Sequence, residues 1–149
     1  MNEQQSESLL NEVLGTIQHS KEMTYDQVRV LHCLLGNTVV EALHLIDTDS
    51  VARLECGDQA KRHLYRIQDT VEAPKEKKET QLCFLLPRHC TCGVFLSSVI
   101  CEQKALVCRH VLAALLFEAL QRQQGIITLD EETFAEILYT WNPPTTHRT

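Results

Sequence analysis

Four residues in the middle of the chain are spaced to hold a metal. Cys90 and Cys92 are separated by a single residue, and Cys108 and His110 repeat that interval after a spacer of fifteen residues. Three cysteines and one histidine make a complete tetrahedral zinc shell of the Cys₃His kind. A single residue between Cys90 and Cys92 lets a short extended or knuckle-like turn aim both sulfurs at one point. The second pair leads into an apolar run, Val111 to Phe117, that reads as a helix. Residues two apart inside a helix point about 200° apart. Cys108 is therefore expected just before the helix or at its cap, with His110 in the first turn. The partial positive charge of a helix N-terminus also favours a thiolate at Cys108.

A free cysteine is often simply a small buried side chain, and that reading suffices for Cys33, Cys56, Cys83 and Cys101. It does not explain two paired clusters, one of them ending in a histidine at a helix start. His89, Cys83 and Cys101 flank the site and could compete for the metal. The spacing departs from the C₂H₂ finger, which needs C-x₂₋₄-C and H-x₃₋₅-H, so groove reading by a finger helix is not implied. Four protein ligands leave no open coordination position, as in structural rather than catalytic sites. The chain has no G-x-x-x-x-G-K-[ST], no H-E-x-x-H and no G-x-S-x-G. Cys83 with His63 could in principle form a nucleophile pair, but seven cysteines and seven histidines make chance pairs common. The expectation is a protein that is not an enzyme.

The elements that must position these ligands are legible by period. Leu9, Leu10, Val13, Leu14 and Ile17 form one helical stripe, with Glu3, Glu7 and Glu12 crowding its start. A second helix fits Thr24 to Leu35, capped by Thr24 and stopped by Gly36-Asn37. A third fits Thr38 to Ile46. The period then changes to alternation over Val51–Cys56 and His63–Gln68, as in half-buried strands. The charged stretch 72–79 reads as an exposed hairpin loop. Gln81 to Leu86 is a third strand that delivers the chain to the first metal pair. The spacer Val94 to Ile100 reads as a short helix over the site. A long helix is expected over 109 to about 124, with Gly125 as its stop. A last helix fits Thr128 to Tyr139, and the tail from Asn142 to Thr149 is expected to be disordered. The inferred class is α+β: a helical arm over 1–50, a three-stranded antiparallel meander with the zinc knuckle over 51–124 (metal site 90–110), and a C-terminal helix and tail over 125–149.

Composition bounds the partners. The 149 residues are 44% hydrophobic, enough for one domain with a real core. Seven cysteines without a secretory pattern in the polar, acidic first twenty residues point to a reducing, intracellular compartment. The longest apolar run, Val111 to Phe117, is too short to span a bilayer. The formal net charge is −6, whereas nucleic-acid binders that work alone usually present a basic face. Lys61, Arg62 and Arg66 are the one basic group placed to meet phosphate. The lysines of the charged loop are offset by Glu72, Glu76 and Glu79, and Arg88, Lys104 and Arg109 are expected to soften the negative thiolate site.

The pair Cys90-x-Cys92 and Cys108-x-His110, followed by an apolar helix, resembles the SWIM-type zinc-finger family. The chain is short, Ala42-Leu43-His44-Leu45-Ile46-Asp47 precedes a strand pair containing Arg62-x-x-Tyr65, and a last helix follows the finger. That order is similar to the small SWIM-domain subunits of Shu complexes over nearly the full chain. The resemblance implies zinc at Cys90, Cys92, Cys108 and His110, a nuclear location and a role in homologous recombination repair of DNA damage. It also implies a RecA-like recombinase paralog as partner, and support for the strand-exchange recombinase on single-stranded DNA, which this chain would reach through the complex. The stripe Leu9, Leu10, Val13, Leu14 and Ile17 is the expected partner interface, because a single stripe on a terminal helix packs readily onto another chain; the other reading of the stripe is that it packs on its own domain. The alternative is a SWIM module serving as a recognition adaptor elsewhere, such as in a ubiquitin ligase. A RecA-like or a cullin–elongin partner would tell the two apart.

Overall fold

Both faces of one sheet are used, and the helices divide unequally between them. The computed structural model describes residues 2–57, 62–71 and 77–141. In chain order these form α1 (Glu3–Ser20), α2 (Tyr25–Leu35), α3 (Thr38–Asp47), β1 (Val51–Cys56), β2 (His63–Val71), β3 (Lys77–Leu85) and β4 (Arg88–Cys90). A π-helical turn (Phe95–Cys101), α4 (Arg109–Ala119), β5 (Ile126–Leu129) and α5 (Glu131–Trp141) complete them. The sheet runs β4-β3-β2-β1-β5.

Local chemistry sets the helix starts. Asn2 and Gln5 exchange side-chain and backbone hydrogen bonds in a capping box at α1, and Thr24 and Gln27 do the same at α2. The first box satisfies two of the amide donors that a helix start leaves orphaned, and so does the second. Gly36, in the left-handed region at φ 67°, ends α2 as its position suggested.

The α+β class holds, and the antiparallel meander β1-β2-β3 is the middle of a larger sheet. β4 adds to it on one side, pairing Cys83 with Cys90 and Leu85 with Arg88. β5 adds on the other side, parallel to β1. The long helix expected to about residue 124 stops instead at Ala119. Gln121 turns left-handed, and the backbone N–H of Arg122 reaches back to the carbonyl of Phe117. This early stop frees residues 126–129 to lie against β1, so the last helix starts at Glu131 rather than Thr128. Of the charged stretch, 72–76 lies outside the described residues, and Lys77, Lys78 and Glu79 belong to β3. The tail 142–149 also lies outside them.

Alternation along the strands builds two cores. Val51, Tyr65, Ile67 and Cys83 face α1, α3 and α4. Leu54, Cys56, Leu64 and Leu82 face Phe134, Ile137 and Leu138 of α5. From His110 to Ala119 every residue of α4 is buried except Leu115 and Glu118, because the helix touches α1, α3, β1, β3 and β4. The stripe on α1 is spent within the chain. Leu10 and Ile17 are fully buried, Val13 and Leu14 nearly so, and only Leu9 is half-exposed. That corrects the expectation of an arm whose stripe waits for another protein: α4 is apolar on almost every side, and α1 supplies part of the cover it requires.

Candidate metal centre

Each half of the metal pattern is delivered by an element that fixes its direction. Cys90 ends β4, and Cys92 follows two residues later in a turn whose backbone N–H at Phe95 donates to the Cys92 sulfur at 3.3 Å. Thr91 ties that turn to β3: its hydroxyl accepts from the Leu82 N–H at 3.0 Å, and its own N–H donates to the Leu82 carbonyl at 3.1 Å. Cys108 is the N-cap of α4, with extended backbone and its sulfur accepting from the Val111 N–H at 3.4 Å. His110 lies in the first turn, as the two-residue interval required. The four side chains converge so that their ligand atoms all lie within 4.8 Å of one another, and all four are buried. Sulfurs about 2.3 Å from a tetrahedral ion would stand roughly 3.8 Å apart, so the cluster has the right size.

The histidine gives an independent test of fit. Its Nε2 lies 2.8 Å from Asp69 Oδ2, while its buried Nδ1 has no hydrogen-bond partner among the described residues. A buried polar nitrogen without a partner is costly, and a metal at the cluster would use that lone pair. Asp69 would then act as the carboxylate behind a ligating imidazole, fixing its tautomer and orientation. Asp69 also accepts from Arg109 Nε at 2.8 Å, and Arg109 reaches Glu41 of α3 at 3.1 Å. Burial alone would raise the Asp69 pKa, but the hydrogen bonds from His110 and Arg109 outweigh it and hold the carboxyl below its usual range.

The thiols compete for one negative charge. Hydrogen bonds from Cys108 and then Cys90 pull Cys92 far below the ordinary thiol range. The same contacts with Cys90 and Cys92, together with burial, push Cys108 far above it. A divalent cation held by Cys90, Cys92, Cys108 and His110 would resolve this competition by stabilising all three cysteines as thiolates.

The flanking residues separate cleanly. Cys83 is fully buried and pairs across the ladder with Cys90, yet it is outside the converging set. Cys101 is exposed. His89 is exposed, with its ring 5.5 Å from that of Phe95 in an edge-on contact. Of the three cations expected near the site, only Arg109 is bonded into it. Arg88 is tied to Glu7 and Asn11 of α1, and Lys104 pairs with Glu102 at 2.7 Å. Of the three residues expected to meet phosphate, Lys61 lies outside the described residues. Arg62 is exposed and 3.5 Å from Glu131. Arg66 is half-buried between Ala52 and Leu82 on the α5 side of β2.

Two groups escaped the sequence reading. Asp69 carried a usable signal, for it falls on the same side of β2 as Tyr65 and Ile67, where a core-facing acid needs a reason. Glu118 carried none: it accepts from both Arg53 and Tyr65, and only the packing of α4 on the sheet brings the three together.

Relatives extend the likeness beyond four residues. The chain is 24% identical over 126 residues to zinc finger SWIM domain-containing protein 7 from Homo sapiens, covering 85% of this chain and 84% of the relative. The protein of that name from Mus musculus is 25% identical over 126 residues, covering 85% and 78%. That from Danio rerio is 25% identical over 124 residues, covering 77% and 76%. No family model matches the chain, and no solved structure matches it significantly. The resemblance to the SWIM-type zinc-finger family, first visible in Cys90, Cys92, Cys108 and His110, holds over most of the chain.

Proposed function

We propose that this chain is a non-enzymatic zinc-binding subunit that pairs with a RecA-like recombinase paralog in the nucleus. In that role it promotes homologous recombination repair by supporting assembly of the strand-exchange recombinase on single-stranded DNA. The observation that carries the zinc assignment is the buried convergence of Cys90, Cys92, Cys108 and His110 with an unpartnered Nδ1 at its edge. Zinc bound there would supply a cross-link between the end of β4 and the start of α4. With four protein ligands and no open position, that role is structural. The recombination role is supported by the likeness in element order to the small SWIM-domain subunits of Shu complexes.

An acidic chain suits an adaptor better than a lone DNA binder. Two measurements test the reading. Affinity purification of the tagged full chain with mass spectrometry should recover a RecA-like ATPase; a cullin–elongin assembly in its place would favour the ubiquitin-ligase alternative. Fluorescence anisotropy with a single-stranded oligonucleotide should show weak binding by the chain alone and tighter binding by the complex. The salt dependence of the chain alone should be shallow, because the slope follows the number of phosphates neutralised. Tight, steeply salt-dependent binding by the isolated chain would overturn the adaptor role.

A further inference from the structure

The outer edge of β5 is built to pair, and among the described residues no strand pairs with it. Its sequence is Ile126-Ile127-Thr128-Leu129, with both isoleucines more than a third exposed. Natural sheets blunt such edges with charge, proline, bulges or a covering element. These four residues contain neither a charge nor a proline.

The hydrogen bonds to β1 show which backbone groups remain. The N–H of Arg53 donates to the Gly125 carbonyl at 2.7 Å, and the N–H of Gly57 donates to the Leu129 carbonyl at 2.9 Å. Alternate residues of a strand face the same neighbour, so Gly125, Ile127 and Leu129 serve β1. Ile126 and Thr128 therefore point their N–H and C=O groups outward. These two donors and two acceptors are the groups that a two-fold antiparallel partner would satisfy.

We propose that β5 pairs with β5 of a second copy of this chain, with the two-fold axis at Ile127. Ile126 of each copy then exchanges two hydrogen bonds with Thr128 of the other, and the two Ile127 residues stand opposite each other. Symmetry and charge select this occupant and this direction. Asp130, Glu131 and Glu132 follow the strand, and Arg122, which precedes it, is held by Asp49 of its own chain at 2.9 Å. Antiparallel pairing about Ile127 keeps the two acidic flanks at opposite ends of the seam, each beside the Arg122–Asp49 pair of the other copy; parallel pairing would set acid against acid. Two sheets become one of ten strands, with β4 at both ends. The pairing uses neither the metal centre nor the recombinase partner, so it can hold or fail independently of the proposed function.

A four-residue strand is a small contact, and reversible association is expected rather than a permanent dimer. In sedimentation equilibrium of the zinc-loaded full chain, the average mass should rise with concentration from 17.0 kDa towards twice that value. Thr128→Pro removes an outward N–H without touching the ladder to β1, and Ile127→Lys sets like charges face to face. Each should hold the chain at monomer mass with its zinc content and circular dichroism unchanged. Residues opposite one another in a non-hydrogen-bonded antiparallel pair have Cα atoms about 4.5 Å apart, within disulfide range. With the exposed Cys33 and Cys101 replaced by serine, Ile127→Cys should therefore oxidise to a covalent dimer much faster than Thr140→Cys on the exposed end of α5. A chain that stays monomeric at all concentrations, or that cross-links equally at both positions, overturns the proposal.

Discussion

At the scale of single residues, the metal centre depends on how its ligands are held as much as on which they are. Cys108 both caps α4 and closes the ligand set, so Cys108→Ala removes two functions at once. Apparent zinc binding in finger peptides is about 10–16 kcal/mol, while a whole domain is stable by about 5–15 kcal/mol. The Cys108→Ala chain should lose its zinc and unfold, whereas Cys56→Ser, in the second core, should keep one zinc per chain by metal analysis. Asp69→Asn is the subtler test. It keeps the size of the side chain but loses the charge that grips His110 Nε2 and Arg109. Removing such a partner typically weakens metal binding about 10- to 100-fold; competition with a chelating dye should show that loss while the fold stays intact. Zinc affinity unchanged by Asp69→Asn would mean that His110 is oriented by something else. The ligands could be read from spacing alone, since four residues in two short pairs need no tertiary knowledge. The carboxylate behind the histidine could not be read from spacing, because it lies forty-one residues away on β2, and only its core-facing place in that strand hinted at it.

At the scale of elements, the three N-terminal helices were legible because each carries its own stop or start: Thr24 with Gln27, Gly36, and the change of period after Asp47. β5 was not. Ile126-Ile127-Thr128-Leu129 neither alternates nor reaches the length at which an apolar run signals a strand. What makes it one is β1, more than seventy residues earlier, whose free side it covers. The early end of α4 was hidden for the same reason, since Gln121 and Arg122 carry no breaker. Gly125 reads in the sequence as the stop of the long helix, but α4 ends six residues before it, and the glycine serves the entry to β5 instead. It sits at φ 89°, and a Cβ there would meet the Val51 carbonyl oxygen at 2.9 Å. Gly125→Ala should cost roughly 1–2 kcal/mol in backbone conformation alone. The melting temperature should fall by roughly 2–8 °C for a chain of this size, and the amides of β5 should lose protection from hydrogen exchange first. Equal protection in both chains would show that the close approach relaxes at no cost.

At the scale of the whole molecule, the helical region and the metal centre share one core. Leu10 and Leu14 lie in the same cluster as Cys90, Cys92 and Cys108. Leu10→Asp with Leu14→Asp places two unpaired carboxylates there, each costing several kcal/mol. The double variant should therefore melt the isolated chain and release its zinc, read by circular dichroism and metal content. A folded, zinc-bound double variant would mean that α1 is dispensable to the core and free to serve another protein.

The central position of α4 has a consequence for how the chain is made. α1, α3, β1, β3 and β4 all close on a helix that begins at Arg109, so a ribosome has made all five of them before the surface they share exists. Until then the stripe of α1 and the apolar side of the meander emerge with nothing to cover them, and folding from the N-terminus onward has no intermediate core to rest on. Nascent chains arrested before residue 109 should remain open to protease along their whole emerged length. Chains long enough to expose α4 beyond the exit tunnel should become resistant abruptly, and only when zinc is present.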